Sequence, residues 1–261
     1  MNTKIVRNTL LSLGVFAALA IGAQAQNLYV SVNGAVCGKQ CSDFTGSIAE
    51  YTPDGTQTTL ASELARPRGV AFDISGNLLA AVNRFGPPSQ FQGRILKFPP
   101  LGHQSVLGNV ALSFLEGMAT DSAGNTFVMA QSESSNTENA IYKFAPNGTR
   151  SVFAGPSAFG DGAPIGLAVD TAGNLFVSTE GGDPGTDTIL MFTPGGVEST
   201  FATGLTTPRG LAFDASGNLF VAESNAAPDG DILEFAAQGG APALFASGID
   251  SPEFLAFGPP R

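Results

Sequence analysis

Histidine occurs once, at His103, and cysteine twice, at Cys37 and Cys41; charged side chains make up only 13% of the chain, and 12 basic ones face 22 acidic ones. Each shortage excludes something. A zinc centre built on the Cys37/Cys41 pair would need two further His or Cys ligands, and only His103 is left to supply one. The net charge of −10 opposes a phosphate backbone, so nucleic acid is excluded as a partner. No nucleophile-elbow serine, no cysteine–histidine pair and no phosphate-binding glycine loop is present.

Long apolar runs are equally scarce. The only one, Thr9 to Ala23, follows Lys4 and Arg7 and ends in Ala23-Gln24-Ala25. This pattern reads as a bacterial signal peptide over residues 1–25, leaving residues 26–261 as one mature domain that starts at Gln26. The run falls short of the roughly 20 residues a spanning helix needs. No membrane attachment is expected, and the protein is expected to be exported, periplasmic or extracellular, and monomeric. Loss of Lys4 and Arg7 leaves ten basic against 22 acidic side chains, a formal charge of −12. In an oxidising compartment Cys37 and Cys41 read first as a small-loop disulfide, with free thiols and a metal half-site as the alternatives. Asn147-Gly-Thr149 fits a glycosylation acceptor that a bacterial protein would leave unmodified.

What is abundant is glycine (33), phenylalanine (20) and a repeat. The segments starting at Arg68, Glu116, Ile165 and Arg209 share the frame x-Gly-x-Ala-x-Asp-x-x-Gly-Asn, at intervals of 44 to 49 residues. Short β-branched and aromatic segments at that period predict propeller blades of four antiparallel strands. The first strand, such as Leu211-Ala-Phe, mixes small and large apolar residues, as a crowded innermost strand requires. Asp73, Asp121, Asp170 and Asp214 then open a hairpin turn in which the carboxylate accepts backbone N–H bonds and Gly supplies a positive φ. The second strand is almost continuously apolar, as burial between blades demands. The third recurs as Ser47-Ile-Ala-Glu-Tyr, Arg94-Ile-Leu-Lys-Phe, Ala140-Ile-Tyr-Lys-Phe, Thr188-Ile-Leu-Met-Phe and Asp231-Ile-Leu-Glu-Phe. The N-terminal Asn27-Leu-Tyr-Val lacks an inner strand and the C-terminal Phe254-Leu-Ala-Phe supplies one, so a shared last blade closes the ring. The count is five blades, with six as the alternative.

The segment Pro208-Arg-Gly-Leu-Ala-Phe-Asp-Ala-Ser-Gly-Asn-Leu-Phe-Val-Ala-Glu resembles the NHL repeat, and Phe159-Gly-Asp-Gly-Ala-Pro resembles its inter-blade segment. The chain is also similar to the gluconolactonase, senescence-marker and luciferin-regenerating group of TolB-like propellers. That resemblance implies an all-β propeller, usually of six blades, and leaves function open.

Propeller sites lie where the inner strands begin and the second strands end. The residue before each repeat glycine, namely Arg68, Glu116, Ile165, Arg209 and Glu253, is expected to ring the channel mouth, with Asn83 and Arg84 beside it. The lactonase resemblance implies a divalent metal held from such positions by hard oxygen ligands. Glu116 matches the Glu-Gly element, Glu253 offers a second carboxylate with Phe254 in place of glycine, and Arg68 and Arg209 oppose a cation. Carboxylate catalysis would draw on Glu116, Glu180 and Glu223. The plainer reading makes these solvated rim residues that form ion pairs with Arg68, Arg84 and Arg209. Asp183, Asp187, Asp229 and Asp231 offer a calcium alternative to ordinary turn chemistry. Loops 33–46, 83–93 (with Arg84, Phe85 and Phe91) and 131–139 read as a recognition surface. Two functions follow. One is a non-enzymatic binding module for a protein, glycan or small molecule, with no cofactor; the other is a divergent metal-dependent lactonase.

Overall fold

The computed structural model describes residues 26–258 apart from 33–45, 53–55, 87–89, 101–102, 110–113, 132–138, 161, 182–186, 225–229 and 250–251. Residues 1–25, where the signal peptide is expected, and Cys37 and Cys41 therefore lie outside the described residues. No described helix is long and apolar enough to cross a membrane.

In chain order the strands are β1 (Leu28–Val32), β2 (Gly46–Tyr51) and β3 (Gln57–Leu64), then β4 (Pro67–Phe72), β5 (Leu78–Gly86), β6 (Gln90–Phe98) and β7 (Ser105–Asn109). They continue as β8 (Phe114–Thr120), β9 (Thr126–Gln131), β10 (Ala140–Phe144) and β11 (Arg150–Ala154), then β12 (Ala163–Val169), β13 (Leu175–Glu180), β14 (Asp187–Phe192) and β15 (Glu198–Leu205). The last are β16 (Pro208–Phe213), β17 (Leu219–Glu223), β18 (Gly230–Phe235), β19 (Ala243–Ile249) and β20 (Phe254–Phe257). They form five four-stranded antiparallel sheets, so the blade count is five. The closing blade runs β20-β1-β2-β3, with Val30 opposite Leu255 on one side and Ala49 on the other.

The repeated aspartates do the work the turn chemistry predicts. Asp73 Oδ1 accepts the backbone N–H groups of Ser75 and Asn77, both at 2.9 Å, while Gly76 adopts φ +76°. Asp121, Asp170 and Asp214 make the same pair of bonds in their own turns. A carboxylate that satisfies two N–H groups per turn holds the first and second strands in register, Phe72 opposite Leu78 and Phe213 opposite Leu219.

Each of the five buried clusters spans two adjacent blades, and the one between the closing and second blades also takes in Ile165 of the fourth. Val128 and Ala130 of the third blade pack with Leu79, Ala81 and Ile95 of the second; Leu255 of β20 packs with Phe220 and Ala222 of the fifth. The core is thus a ring of inter-blade seams, and burying a side chain such as Leu79 or Val221 contributes roughly 1.5–3 kcal/mol. Outer-strand phenylalanines seal three blades edge-on, Phe153 on Phe127 at 5.1 Å, Phe201 on Phe176 at 5.0 Å and Phe245 on Phe220 at 4.9 Å.

The inner strands approach more closely than side chains permit. A Cβ on Gly69 would lie 2.5 Å from the Met118 nitrogen, and one on Gly210 would lie 2.6 Å from the Glu253 carbonyl oxygen. Glycine at this repeat position is a packing requirement between neighbouring blades. This contact brings the preceding residues, Arg68, Glu116, Arg209 and Glu253, to one end of the channel.

The structure corrects one reading. Residues 83–86 and 90–93, expected as part of a recognition loop, continue the hairpin of β5 and β6, with Asn83 opposite Gly93 and Gly86 opposite Gln90. The sequence of the segment reads as a loop because Gly86-Pro87-Pro88 interrupts the run, although Phe85 stands opposite Phe91 across the extension.

Candidate functional site at the channel mouth

The site is built from the starts of the inner strands and the ends of the second strands, which antiparallel pairing places on one face. Arg68, at the start of β4, lies at its centre. Its Nη1 donates to Glu253 Oε2 at 2.9 Å, and its Nε stands 3.6 Å from Glu116 Oε2, an ion pair too long for a hydrogen bond. The guanidinium lies over the Phe114 ring, 5.4 Å from its centroid, which fixes its direction. Arg209 Nη2 pairs with Glu180 Oε2 at 3.1 Å across the boundary between the fourth and fifth blades.

Burial grades these groups into a funnel. The side chains of Arg209 and Glu180 are 24% and 28% exposed and those of Arg68 and Glu253 16% and 18%, whereas Glu116 is 5% exposed. The expectation of a solvated rim fails for Glu116, which the Gly117 backbone contact carries down between the inner strands. Burial, reinforced by the Glu253 and Glu180 carboxylates, pushes its pKa up from 4.5 to about 7 against the opposing pull of Arg68 and Arg209. Among the described residues, Glu116 Oε2, Arg68 Nε, Arg209 Nε and Ser31 Oγ are buried atoms without a hydrogen-bond partner.

The other expected site residues are committed elsewhere. The Asn83 side chain, 1% exposed, exchanges two 2.7 Å bonds with the backbone N–H and C=O of Leu115 and so locks the second blade to the third. Arg84 is exposed at the foot of the hairpin extension. Glu223 Oε1 accepts the Thr206 N–H at 2.7 Å, which bolts the crossing into the fifth blade; burial, with Asp231 and Asp187 nearby, raises its pKa despite that bond. Asp187 accepts the N–H groups of Gly181 and Thr207 at 2.7 and 2.8 Å, a turn clasp of the kind expected as the alternative to calcium. Asp183 and Asp229 lie outside the described residues. His103 is exposed ahead of β7, on the opposite face.

The sequence reading did not find Ser178. Its hydroxyl accepts the Gly166 N–H and donates to the Arg209 carbonyl, both at 2.8 Å, and so welds the fourth inner strand to the fifth. One serine inside an apolar second strand was the available signal. Two grooves of about 730 and 760 Å³ open between blades at the opposite, turn-bearing end; they are lined by turn residues such as Asp73 and Pro146, or Asp214 and Gly217, and carry no converging buried polar groups.

The donor set does not fit a divalent metal. Among the described residues no three His, Cys, Asp or Glu side chains converge on one point, and the ring positions flanking Glu116 and Glu253 carry guanidinium groups that would repel the ion.

No protein-family model matches the sequence, and no curated protein sequence matches it. Solved structures do. Luciferin-regenerating enzyme superposes with a TM-score of 0.55 at 14% identity, over 91% of this chain and 81% of that one. A gluconolactonase from Xanthomonas campestris gives 0.52 at 18% identity, over 79% and 69% of the two chains. The PQQ-bound aldose sugar dehydrogenase from Streptomyces coelicolor gives 0.53 at 20% identity, over 76% and 73%. At such identities the likeness is one of fold: this chain is a five-bladed β-propeller that is similar to those structures.

Proposed function

We propose that the chain is an exported, monomeric binding module, acting without a cofactor, whose ligand-facing surface is the channel mouth. The single observation that carries this reading is the pairing of Arg68 with Glu253 and Glu116 and of Arg209 with Glu180. Two of the ring positions, Arg68 and Arg209, present guanidinium groups, and these engage the carboxylates of Glu253, Glu116 and Glu180. Binding needs such a rigid, graded, polar concavity; metal-assisted hydrolysis needs an ion that the two arginines repel. Assay of the full chain against five- and six-membered lactones and aryl esters, with and without Ca²⁺, Zn²⁺, Mn²⁺ or Mg²⁺, is expected to show no turnover above the uncatalysed rate. Metal-dependent turnover lost in Glu116→Gln would overturn the reading.

One observation favours the alternative, a divergent lactonase-like hydrolase. Glu116 combines deep burial, a pKa near 7 and an unbonded oxygen, which are the attributes of a general acid or base. Glu253 would then be its partner, and the same assay separates the two readings.

A further inference from the structure

At the turn-bearing end, opposite the channel mouth, a groove of about 760 Å³ lies between the fourth and fifth blades, a volume that suits a small organic ligand. Four phenylalanines contribute to its lining. Phe201, on the outer strand β15, is 39% exposed, and Phe213, at the end of β16, is half-buried. Buried Phe176 meets each of them edge-on with ring centroids 5.0 Å apart, and buried Phe235 lies 5.6 Å from Phe201. Rings braced in this way offer a π surface whose orientation is already fixed, so little rotamer entropy is lost on binding.

The charge of the lining has one sign. Asp170 and Asp214 each spend Oδ1 on two backbone N–H groups and Oδ2 on the amide of Asn174 or Asn218, at 2.8 and 3.0 Å; these donors are neutral, so the negative charge stays uncompensated. Among the described residues Asp73 is the one turn aspartate with an ion pair, to Lys97, and no Lys, Arg or His lines this groove. Residues 163–249, which make up the two blades, hold ten acidic side chains against one basic, Arg209, and that one is paired with Glu180 at the opposite end. The matching groove of about 730 Å³ between the second and third blades has the same turn frame yet is lined by Lys97 and Arg150. The acidic, aromatic character is thus particular to one groove and no consequence of the repeat. We propose that the groove between the fourth and fifth blades binds an organic ammonium ion, whose charge lies over Phe201 and Phe213 and is drawn to Asp170 and Asp214. Ring faces attract such a cation, and the carboxylates add a Coulombic attraction in the same direction. A bare metal ion would need converging oxygen ligands, and among the described residues no three such groups supply them. A neutral apolar guest would gain nothing from the two carboxylates.

The test uses the ¹⁵N-labelled full chain. Choline is titrated beside 3,3-dimethylbutan-1-ol, which has the same shape without the charge, and beside the anion 3,3-dimethylbutanoate. Saturable shifts of the groove's backbone amide signals, such as those of Ser216 and Gly217, are expected with choline. The alcohol should bind about tenfold more weakly and the anion more weakly still. Raising the salt from about 0.02 to about 0.5 M should weaken choline and leave the alcohol unchanged. Phe201→Leu keeps the apolar bulk and removes a ring face, which predicts a weakening of about two- to fivefold. Asp214→Asn keeps an oxygen for the turn N–H bonds and removes the charge, with a loss of about fivefold; either variant serves if the other does not fold. No saturation by choline up to about 100 mM, equal or tighter binding of the alcohol or the anion, shifts at Ser75 and Gly124 of the matching groove instead, or indifference to both variants would overturn the proposal. The groove and the channel mouth lie at opposite ends, so failure here leaves the channel-mouth reading standing, and metal-dependent turnover there leaves the ammonium site standing.

Discussion

Arg68 and Glu253 meet at 2.9 Å although 185 residues separate them in the chain, because the first complete blade and the C-terminal inner strand are neighbours across the closure of the ring. The same arginine faces Glu116 on its other side. One guanidinium thus neutralises two carboxylates that would otherwise confront each other in a confined channel.

Arg68→Met is therefore expected to destabilise the protein by about 1–2 kcal/mol, less than for a fully buried pair because the side chains are partly exposed. For a chain of this size that lowers Tm by roughly 3–6 °C in a thermal melt. Glu253→Gln should cost less, since Arg68 keeps Glu116. An unchanged Tm in Arg68→Met would show that the ion pairs add nothing to closure.

The pH dependence has a definite sign. The pKa of Glu116 is raised on folding, from 4.5 to about 7, so the folded protein holds a proton that the unfolded chain has released. Its contribution is fully favourable below about pH 4.5, falls as pH rises to about 7, and is constant beyond. The shift corresponds to at most about 3 kcal/mol. Glu223 is displaced in the same direction and Asp73 in the opposite one, so the comparison that isolates Glu116 is wild type against Glu116→Gln. Chemical denaturation from pH 4.5 to 8 should show stability falling more steeply with pH in the wild type. Parallel profiles would contradict the burial of this carboxyl.

Backbone strain identifies a stabilising change. Glu63 has φ +58° on the outer strand of the closing blade, at the bulge where Gly204 and Gly248 have φ +79° and +69° in two other blades. A non-glycine residue in this region costs on the order of 1 kcal/mol, part of which glycine returns through unfolded-chain entropy. Glu63→Gly is expected to raise stability by about 0.5 kcal/mol in a denaturant titration; a decrease would mean that the Glu63 side chain makes a contact of greater worth.

Much of this architecture was legible in the chain because its determinants are local. The Asp73 and Gly76 turn chemistry repeats at Asp121, Asp170 and Asp214, and the unmatched strands at the two ends announce the closing blade. The site was legible only by position. Spacing brings Arg68, Glu116, Arg209 and Glu253 to one face, but nothing near Glu116 in sequence signals its burial, which follows from the approach of the Ile165 backbone to Gly117. Asn83 reads as a mouth residue because asparagine is polar; its clamp on Leu115 depends on where the neighbouring blade begins. The strand character of residues 84–86 and 90–92 was hidden by Gly86-Pro87-Pro88, which reads as a loop signal after the second strand.

The central claim is that the channel mouth is a metal-independent binding surface. A thermal melt of the full chain after EDTA treatment, repeated with Ca²⁺, Zn²⁺, Mn²⁺ or Mg²⁺, tests it most directly. A metal held at a hundred times its dissociation constant would add about 2.7 kcal/mol and several degrees to Tm. The account predicts the same Tm in every condition, and a metal-specific rise that disappears in Glu116→Gln would contradict it.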